Sequence, residues 1–272
     1  MSTTVARLVA IAVLAATPCE ARAQPADTTR VSTQPLLTAD DAKVGAAFVF
    51  GTIAAFPLDS RFAKHLQGAP QTNQLFKRLS FAVENVAIPG AFLIGGTLYG
   101  VGRLAGNERM ADLGLHGSEA IVIGLVATSA IKFAVGRARP YVGEGPNHFE
   151  PFRGIGNEDF RSFPSGHTLI GFAAAAAVVE ETRIWWPNSV WYIGPLMYGG
   201  AAAIGLSRMY DNKHWLSDVI MGAAFGTFSG RKVVRYHHSH PGNRLDEWLL
   251  GVSGVPGAHG LQWRLFVAPV RR

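Results

Sequence analysis

The sequence predicts an all-α fold: a six-helix core bundle that carries its candidate active site at one end, followed by a small C-terminal β-hairpin. Three observations lead to this expectation. Of the 272 residues, 48% are hydrophobic and only 16% are charged, which is more apolar than an ordinary soluble domain. The apolar residues fall in runs dominated by Ala, Leu and Gly, with no sustained period-two alternation, a pattern that favours helix over strand. There are also 31 glycines, many beside alanine inside those runs, and small residues let helices approach closely, as they do in membrane bundles.

Taken in order, residues 1–23 read as a signal peptide. Arg7 is a positive flank, Leu8–Ala16 an apolar run, and Ala21-Arg22-Ala23 a small-x-small cleavage pattern before Gln24. The alternative is an uncleaved anchoring helix. The single cysteine, Cys19, lies inside this segment, so the chain after it would have no disulfide and no thiolate metal site. Residues 24–37 are polar and Pro-containing and read as a linker.

The helical domain is expected over 38–240. Thr38 is placed as an N-cap, with Asp40 and Asp41 in the first turn. Six apolar runs follow: Val44–Leu58, Val86–Gly102, Leu113–Ile131, Thr168–Val179, Val190–Leu206 and Val219–Gly230. Pro89 is expected to kink or open the second. Several runs fall short of the ~20 residues that a simple membrane span needs, so they read either as short tilted spans or as core helices. Residues 141–164 form a Gly/Pro-rich loop long enough to suggest function. In the tail, 241–272, the runs Leu249–Val252 and Leu261–Val267 flank a Pro/Gly turn region and are the expected hairpin.

Three clusters carry chemistry. Lys132 and Arg139 are seven residues apart, about two helical turns, which would put both cations on one face, with Pro140 ending the helix at Arg139. Ser165-Gly166-His167, after Pro164, opens the fourth run; backbone N–H groups at a helix start attract an anion, and His167 in the first turn can give a proton. Ser207-Arg208 precedes His214 and Asp218, whose four-residue spacing suits two groups on one helix face. A carboxylate on one imidazole nitrogen would leave the other free to attack. Each cluster alone has a blander reading: a basic helix end, a capped helix with a surface histidine, and a structural His/Asp pair. In an up-down bundle, however, all three fall at the same end.

Lys-x6-Arg-Pro, Pro-Ser-Gly-His and Ser-Arg-x5-His-x3-Asp, in this order, resemble the type 2 phosphatidic acid phosphatase superfamily, which includes lipid phosphate phosphatases, bacterial class A acid phosphatases and vanadium haloperoxidases. The resemblance covers about residues 80–235. It implies that Lys132, Arg139 and Arg208 bind phosphate oxygens with Ser165 and the backbone at Gly166. It further implies that His214 attacks phosphorus, that Asp218 orients it, and that His167 protonates the leaving oxygen. Three cations and backbone donors can neutralise a transferring phosphoryl group, so no metal and no cofactor are expected.

The expected function is a metal-independent phosphatase acting on phosphate esters or anhydrides, of lipids above all. The alternatives are a broad-specificity soluble periplasmic acid phosphatase and a vanadate-dependent haloperoxidase. Partners would be a phosphorylated lipid or small phosphate ester and a membrane surface. The net charge of +6 suits both, and with no long basic run nucleic acid is disfavoured. The expected location is exported, in the cell envelope, on the periplasmic side, membrane-associated or integral. His237, His238 and His240 read as a solvated helix end rather than a metal tract. Trp185, Trp186 and Trp191 fit an interfacial belt or simple packing equally well. Arg137 reads as a second phosphate contact or a surface charge.

Overall fold

The computed structural model describes residues 37–68, 74–240, 252–257 and 260–265. The expected signal peptide, 1–23, and nearly all of the linker lie outside the described residues. Among the described residues seven α-helices are formed: α1 Ala39–Ala55, α2 Asp59–Gly68, α3 Gln74–Ala105, α4 Glu108–Val135, α5 Gly166–Trp185, α6 Val190–Tyr210 and α7 Leu216–Ser239. Five of the six apolar runs lie within α3 to α7, and the first, Val44–Leu58, runs from α1 into a 3-10 turn at Phe56–Leu58. The remaining helix, α2, is polar and short and has no counterpart in the sequence reading. A two-stranded antiparallel ladder pairs Val252–Gly257 with Gly260–Leu265, so the first strand lies later than the expected Leu249–Val252.

The helix starts follow local chemistry. Thr38 caps α1 through a capping box: its Oγ1 accepts from the Asp41 N–H (3.2 Å) and Asp41 Oδ2 accepts from the Thr38 N–H (2.9 Å). Asp41 is buried and also pairs with Lys232, which ties α1 to α7. The Asn107 side chain caps α4 by accepting from the Met110 N–H at 3.1 Å. Helix α3 runs through Pro89, and α6 through Pro195, as single assigned helices.

The centre of the bundle is built from small residues. Helix α5 buries Ala173, Ala175, Ala176 and Ala177 completely, and Ile121, Leu169, Ile170 and Ala173 form the core cluster. Helix α7 approaches α5 along Gly222, Gly226 and Gly230. A Cβ on Gly222 would stand 2.4 Å from the Ser165 carbonyl oxygen, and one on Gly226 would stand 2.4 Å from that of Leu169. Only glycine permits this separation.

Large apolar side chains point outward instead. Phe50 on α1, Leu93 on α3, Val126 on α4 and Leu196 on α6 are all well exposed. Two stretches, Ala39–Leu66 and Glu108–Val135, are helical, long and apolar enough to cross a membrane. In the most apolar window of the second only 22% is buried in the protein, so it is not an ordinary core helix. An apolar cavity of about 520 Å³ opens between α3, α4, α5 and α6, lined by residues including Val83, Ile94, Leu113, Ile121, Ile170 and Met197.

Candidate active site

The C-terminal end of α4, the start of α5 and the α6–α7 turn meet at one end of the bundle, stitched by main-chain hydrogen bonds. The Ser165 N–H donates to the Asp218 carbonyl at 2.9 Å, joining α5 to α7. The Lys213 and His214 N–H groups both donate to the Arg208 carbonyl, at 3.0 and 3.3 Å, folding the turn back on α6. Trp215 Nε1 donates to the Ala138 carbonyl at 2.9 Å, bringing in the segment after α4.

Lys132 lies in the last turn of α4, where its Nζ donates to the Arg161 carbonyl at 2.7 Å. Its Cε would be 3.9 Å from a Cβ on Gly166, so this cation stands beside the start of α5. The helix ends earlier than expected. Gly136, not the Arg139-Pro140 step, terminates it, with φ 58° and its N–H on the Lys132 carbonyl, the left-handed stop that glycine adopts without strain. Arg139 is therefore not on a shared helix face with Lys132. It is extended, as a residue before proline prefers, and its guanidinium donates to the Glu158 carbonyl (2.9 Å) and Glu158 Oε2 (3.3 Å). The 141–164 loop thus holds both cations through their hydrogen bonds. Arg208, on α6, is buried and pairs with Asp211 at 3.3 Å.

Ser165 occupies the N-cap position of α5, fully buried, and its Oγ accepts from the Thr168 hydroxyl at 2.9 Å. Gly166 and His167 follow in the first turn, His167 half-buried. His214 is buried. Burial first, and then the positive charges of Lys132 and Arg139, lower its pKa to about 3, with Asp218 opposing them. The imidazole is therefore neutral at neutral pH, the form a nucleophile needs.

His214 and Asp218 do not share a helix face, because α7 begins at Leu216 and His214 lies in the preceding turn. His214 Nδ1 and Asp218 Oδ2 are 3.7 Å apart, beyond hydrogen-bond range. The carboxylate is engaged elsewhere. Oδ2 accepts from the Ser162 hydroxyl (2.5 Å) and the Trp215 N–H (2.8 Å), and Oδ1 from Arg137 Nη1 (2.5 Å). As the third residue of α7, Asp218 satisfies a donor that the helix start would otherwise leave open.

Arg137 is neither a surface charge nor aimed at phosphate. It is wholly buried, and all five of its N–H groups are used. Nε and Nη2 donate to the Pro146 carbonyl (2.9 and 2.7 Å), Nη2 also to Asp59 Oδ2 (2.7 Å), and Nη1 to Ser217 Oγ (2.7 Å) and Asp218. Asp59 in turn accepts from the Ser217 N–H at 2.9 Å and the Ser217 hydroxyl at 2.6 Å. Sequence reasoning missed Asp59, Ser162 and Ser217 as supports of this site. Asp59 opens the polar helix α2, and only the fold brings it to Arg137.

The histidines at the far end of α7 also depart from expectation. His237 is buried rather than solvated. Its ring stacks on His116 with centroids 4.3 Å apart, and Nε2 is 2.7 Å from Glu119 Oε2. Of the tryptophans, Trp186 and Trp191 are exposed at that same end, while Trp185 packs edge-on against Trp186.

The chain is similar to known proteins in sequence and in fold. The chain is 37% identical over 110 residues to a lipid A 1-phosphatase of Rhizobium johnstonii, covering 39% of each protein. It is 42% identical over 69 residues to a lipid A 1-phosphatase of Porphyromonas gingivalis, covering 25% of this chain and 15% of that one. The chain thus spans less than half the length of either curated relative. Its fold is similar to the crystal structure of a transmembrane PAP2 type phosphatidylglycerolphosphate phosphatase from Bacillus subtilis, with TM-score 0.54 and 18% identity over 75% of this chain and 98% of that one. The family model described as PAP2 superfamily matches residues 115–241, the segment that runs from α4 to the end of α7 and holds every candidate site residue. By that match this segment of the chain is similar to the PAP2 superfamily.

Proposed function

We propose that this chain hydrolyses a phosphate ester or anhydride of a lipid through a phosphohistidine at His214, on the periplasmic side of a membrane. The observation that carries the reading is the neutral, buried His214 set among the charges of Lys132 and Arg139, with its main-chain N–H bonded to the Arg208 carbonyl. Lys132, Arg139 and Arg208 neutralise the three equatorial oxygens, assisted by Ser165 and the N–H groups at Gly166. His214 Nε2 attacks phosphorus as the bond to the leaving oxygen breaks, and His167 gives that oxygen a proton. His167 then takes a proton from water as the water oxygen attacks the phosphohistidine, releasing inorganic phosphate and restoring the imidazole. The Asp218 carboxylate, 3.7 Å from Nδ1, stabilises the positive charge that builds on the ring.

A lipid substrate is supported by the outward-facing Phe50, Leu93, Val126 and Leu196, and by the apolar cavity, whose walls suit hydrocarbon. Transfer by this route needs no metal, because Lys132, Arg139 and Arg208 would supply the positive charge. The test is phosphate release from lipid phosphates and diphosphates compared with water-soluble monoesters, with chelator present. Lipid substrates should be preferred. His214→Ala should remove at least about 10³-fold of kcat, the scale of losing a nucleophile, while keeping the helical fold. A folded His214→Ala enzyme with wild-type turnover would defeat the mechanism, and a preference for soluble monoesters would defeat the lipid assignment.

A further inference from the structure

We propose that His116, Glu181 and His238 form a zinc site at the end of the bundle opposite the active site. The three residues come from α4, α5 and α7, and one ligand atom from each lies within 4.8 Å of the others. Glu181 bridges the two rings: Oε1 is 2.8 Å from His116 Nδ1, and Oε2 is 2.8 Å from His238 Nε2. Two imidazoles and a carboxylate are a ligand set that zinc takes in tetrahedral geometry, with a fourth position left to water. Metal–ligand bonds of ~2.0–2.2 Å put neighbouring ligand atoms ~3.3 Å apart, so the metal enters as the hydrogen-bonded contact widens and the more distant ligand atoms, within 4.8 Å of one another, draw together. That is a side-chain adjustment and leaves the helices in place.

The surroundings fit a built site. His116 and Glu181 side chains are 3% and 1% exposed, while His238 is 28% exposed, which leaves an approach from solvent through one ligand. His237 stacks on His116 at 4.3 Å and is itself held by Glu119 at 2.7 Å. A carboxylate behind a histidine, packed on a metal ligand, is the kind of outer support that fixes ring orientation. Glu181 is hydrogen-bonded to one nitrogen of each ring. Coordination through that nitrogen requires the proton to leave, or to move to the other nitrogen of the ring, so affinity falls as the pH is lowered. The site lies away from His214 and does not depend on the hydrolytic reading.

The experiment is a calorimetric titration of the full chain, without a histidine tag and in detergent, with zinc chloride. One zinc per chain should bind in the micromolar range or tighter. His238→Gln alters the most exposed ligand and should weaken binding at least about tenfold while preserving phosphatase activity, and Glu181→Gln should do the same to binding. His214→Asn should bind zinc as the wild type does. Absence of saturable one-site binding, wild-type affinity in His238→Gln, or loss of binding in His214→Asn would each overturn the proposal. Should a substituted chain fail to fold, anomalous diffraction at the zinc edge from wild-type crystals decides. A peak among His116, Glu181 and His238 supports the site, and a peak elsewhere or none refutes it.

Discussion

Arg137 and Asp218 meet at 2.5 Å with neither side chain exposed to solvent. The same guanidinium reaches Asp59 at 2.7 Å, also fully buried. Phe56, Phe149 and Trp215 rings surround it, with its central carbon 4.7, 5.4 and 5.7 Å from their centroids. Removing one partner of a buried pair leaves an uncompensated charge, a loss of about 3–5 kcal/mol. Arg137→Ala should therefore lower unfolding stability by that order. Arg137→Lys should recover little, because an ammonium cannot reach two carboxylates and the Pro146 carbonyl from one plane. By contrast the Arg139–Glu158 pair has Glu158 66% exposed, and Glu158→Ala should cost under about 1 kcal/mol. Denaturant unfolding in detergent compares the three.

Gly222 sets the separation between α7 and the start of α5. In Gly222→Ala the new methyl would stand 2.4 Å from the Ser165 carbonyl oxygen, so the segment Ser165–His167 must shift. A cost of about 1–3 kcal/mol is expected, with kcat falling more than KM rises, since in the proposed mechanism the displaced residues act on the transferring phosphoryl group. Gly200 on α6 has open space around it, and Gly200→Ala should stabilise by up to about 1 kcal/mol through helix propensity. Paired melting curves and kinetics of the two variants test whether contact, rather than loss of glycine, is responsible.

The state of His214 gives a pH signature. Its folded pKa is lowered from 6.5 to about 3, so the unfolded chain takes up a proton near pH 6.5 while the folded chain does not. The unfolded state then binds more protons, and stability falls as pH drops from about 6.5 towards 3, by up to about 1.4 kcal/mol per unit for this group. His214→Asn removes that slope. Melting temperatures of both proteins between pH 7.5 and 4.5 should diverge, the wild type losing more; parallel curves would mean that the histidine is not held neutral. It also follows that the acid limb of kcat/KM in this range is not set by protonation of His214.

What was legible in the sequence, and what was not, divides along physical lines. The apolar runs located six helices, and the clusters at Lys132, Ser165 and His214 were expected at one end because chain order alone puts them there in an up-down bundle. Helix ends were less legible. Two stop signals, Gly136 and Pro140, stand four residues apart, and the glycine acted first, which released Arg139 from the helix. The polar helix α2 has no apolar run to announce it, so Asp59 was invisible, and without Asp59 the burial of Arg137 had no rationale. His237 looked like a solvated terminus because its partners His116 and Glu119 are more than a hundred residues away in the chain.

The large apolar side chains that face outward give the last prediction. Helix α4 extends beyond its apolar run, Leu113–Ile131, to Glu108–Val135, 28 residues, or ~42 Å at 1.5 Å per residue, longer than a ~30 Å hydrocarbon layer. Other helices expose Phe50, Leu93 and Leu196, and Trp186 and Trp191 stand exposed at the end away from His214, where indole rings favour the membrane–water boundary. The protein should therefore resist alkaline carbonate and require detergent for extraction. The side on which His214 lies is read by cysteine labelling, which the single native Cys19 makes simple. In a Cys19→Ser background, Glu144→Cys marks the loop over the active site and Asn188→Cys marks the opposite end. In spheroplasts an impermeant maleimide should label Glu144→Cys, and should label Asn188→Cys only after lysis. The reverse pattern would turn the active site to the cytoplasm. Labelling of both before lysis, together with release by carbonate, would describe a bundle lying on the membrane, with its apolar surface covered in some other way.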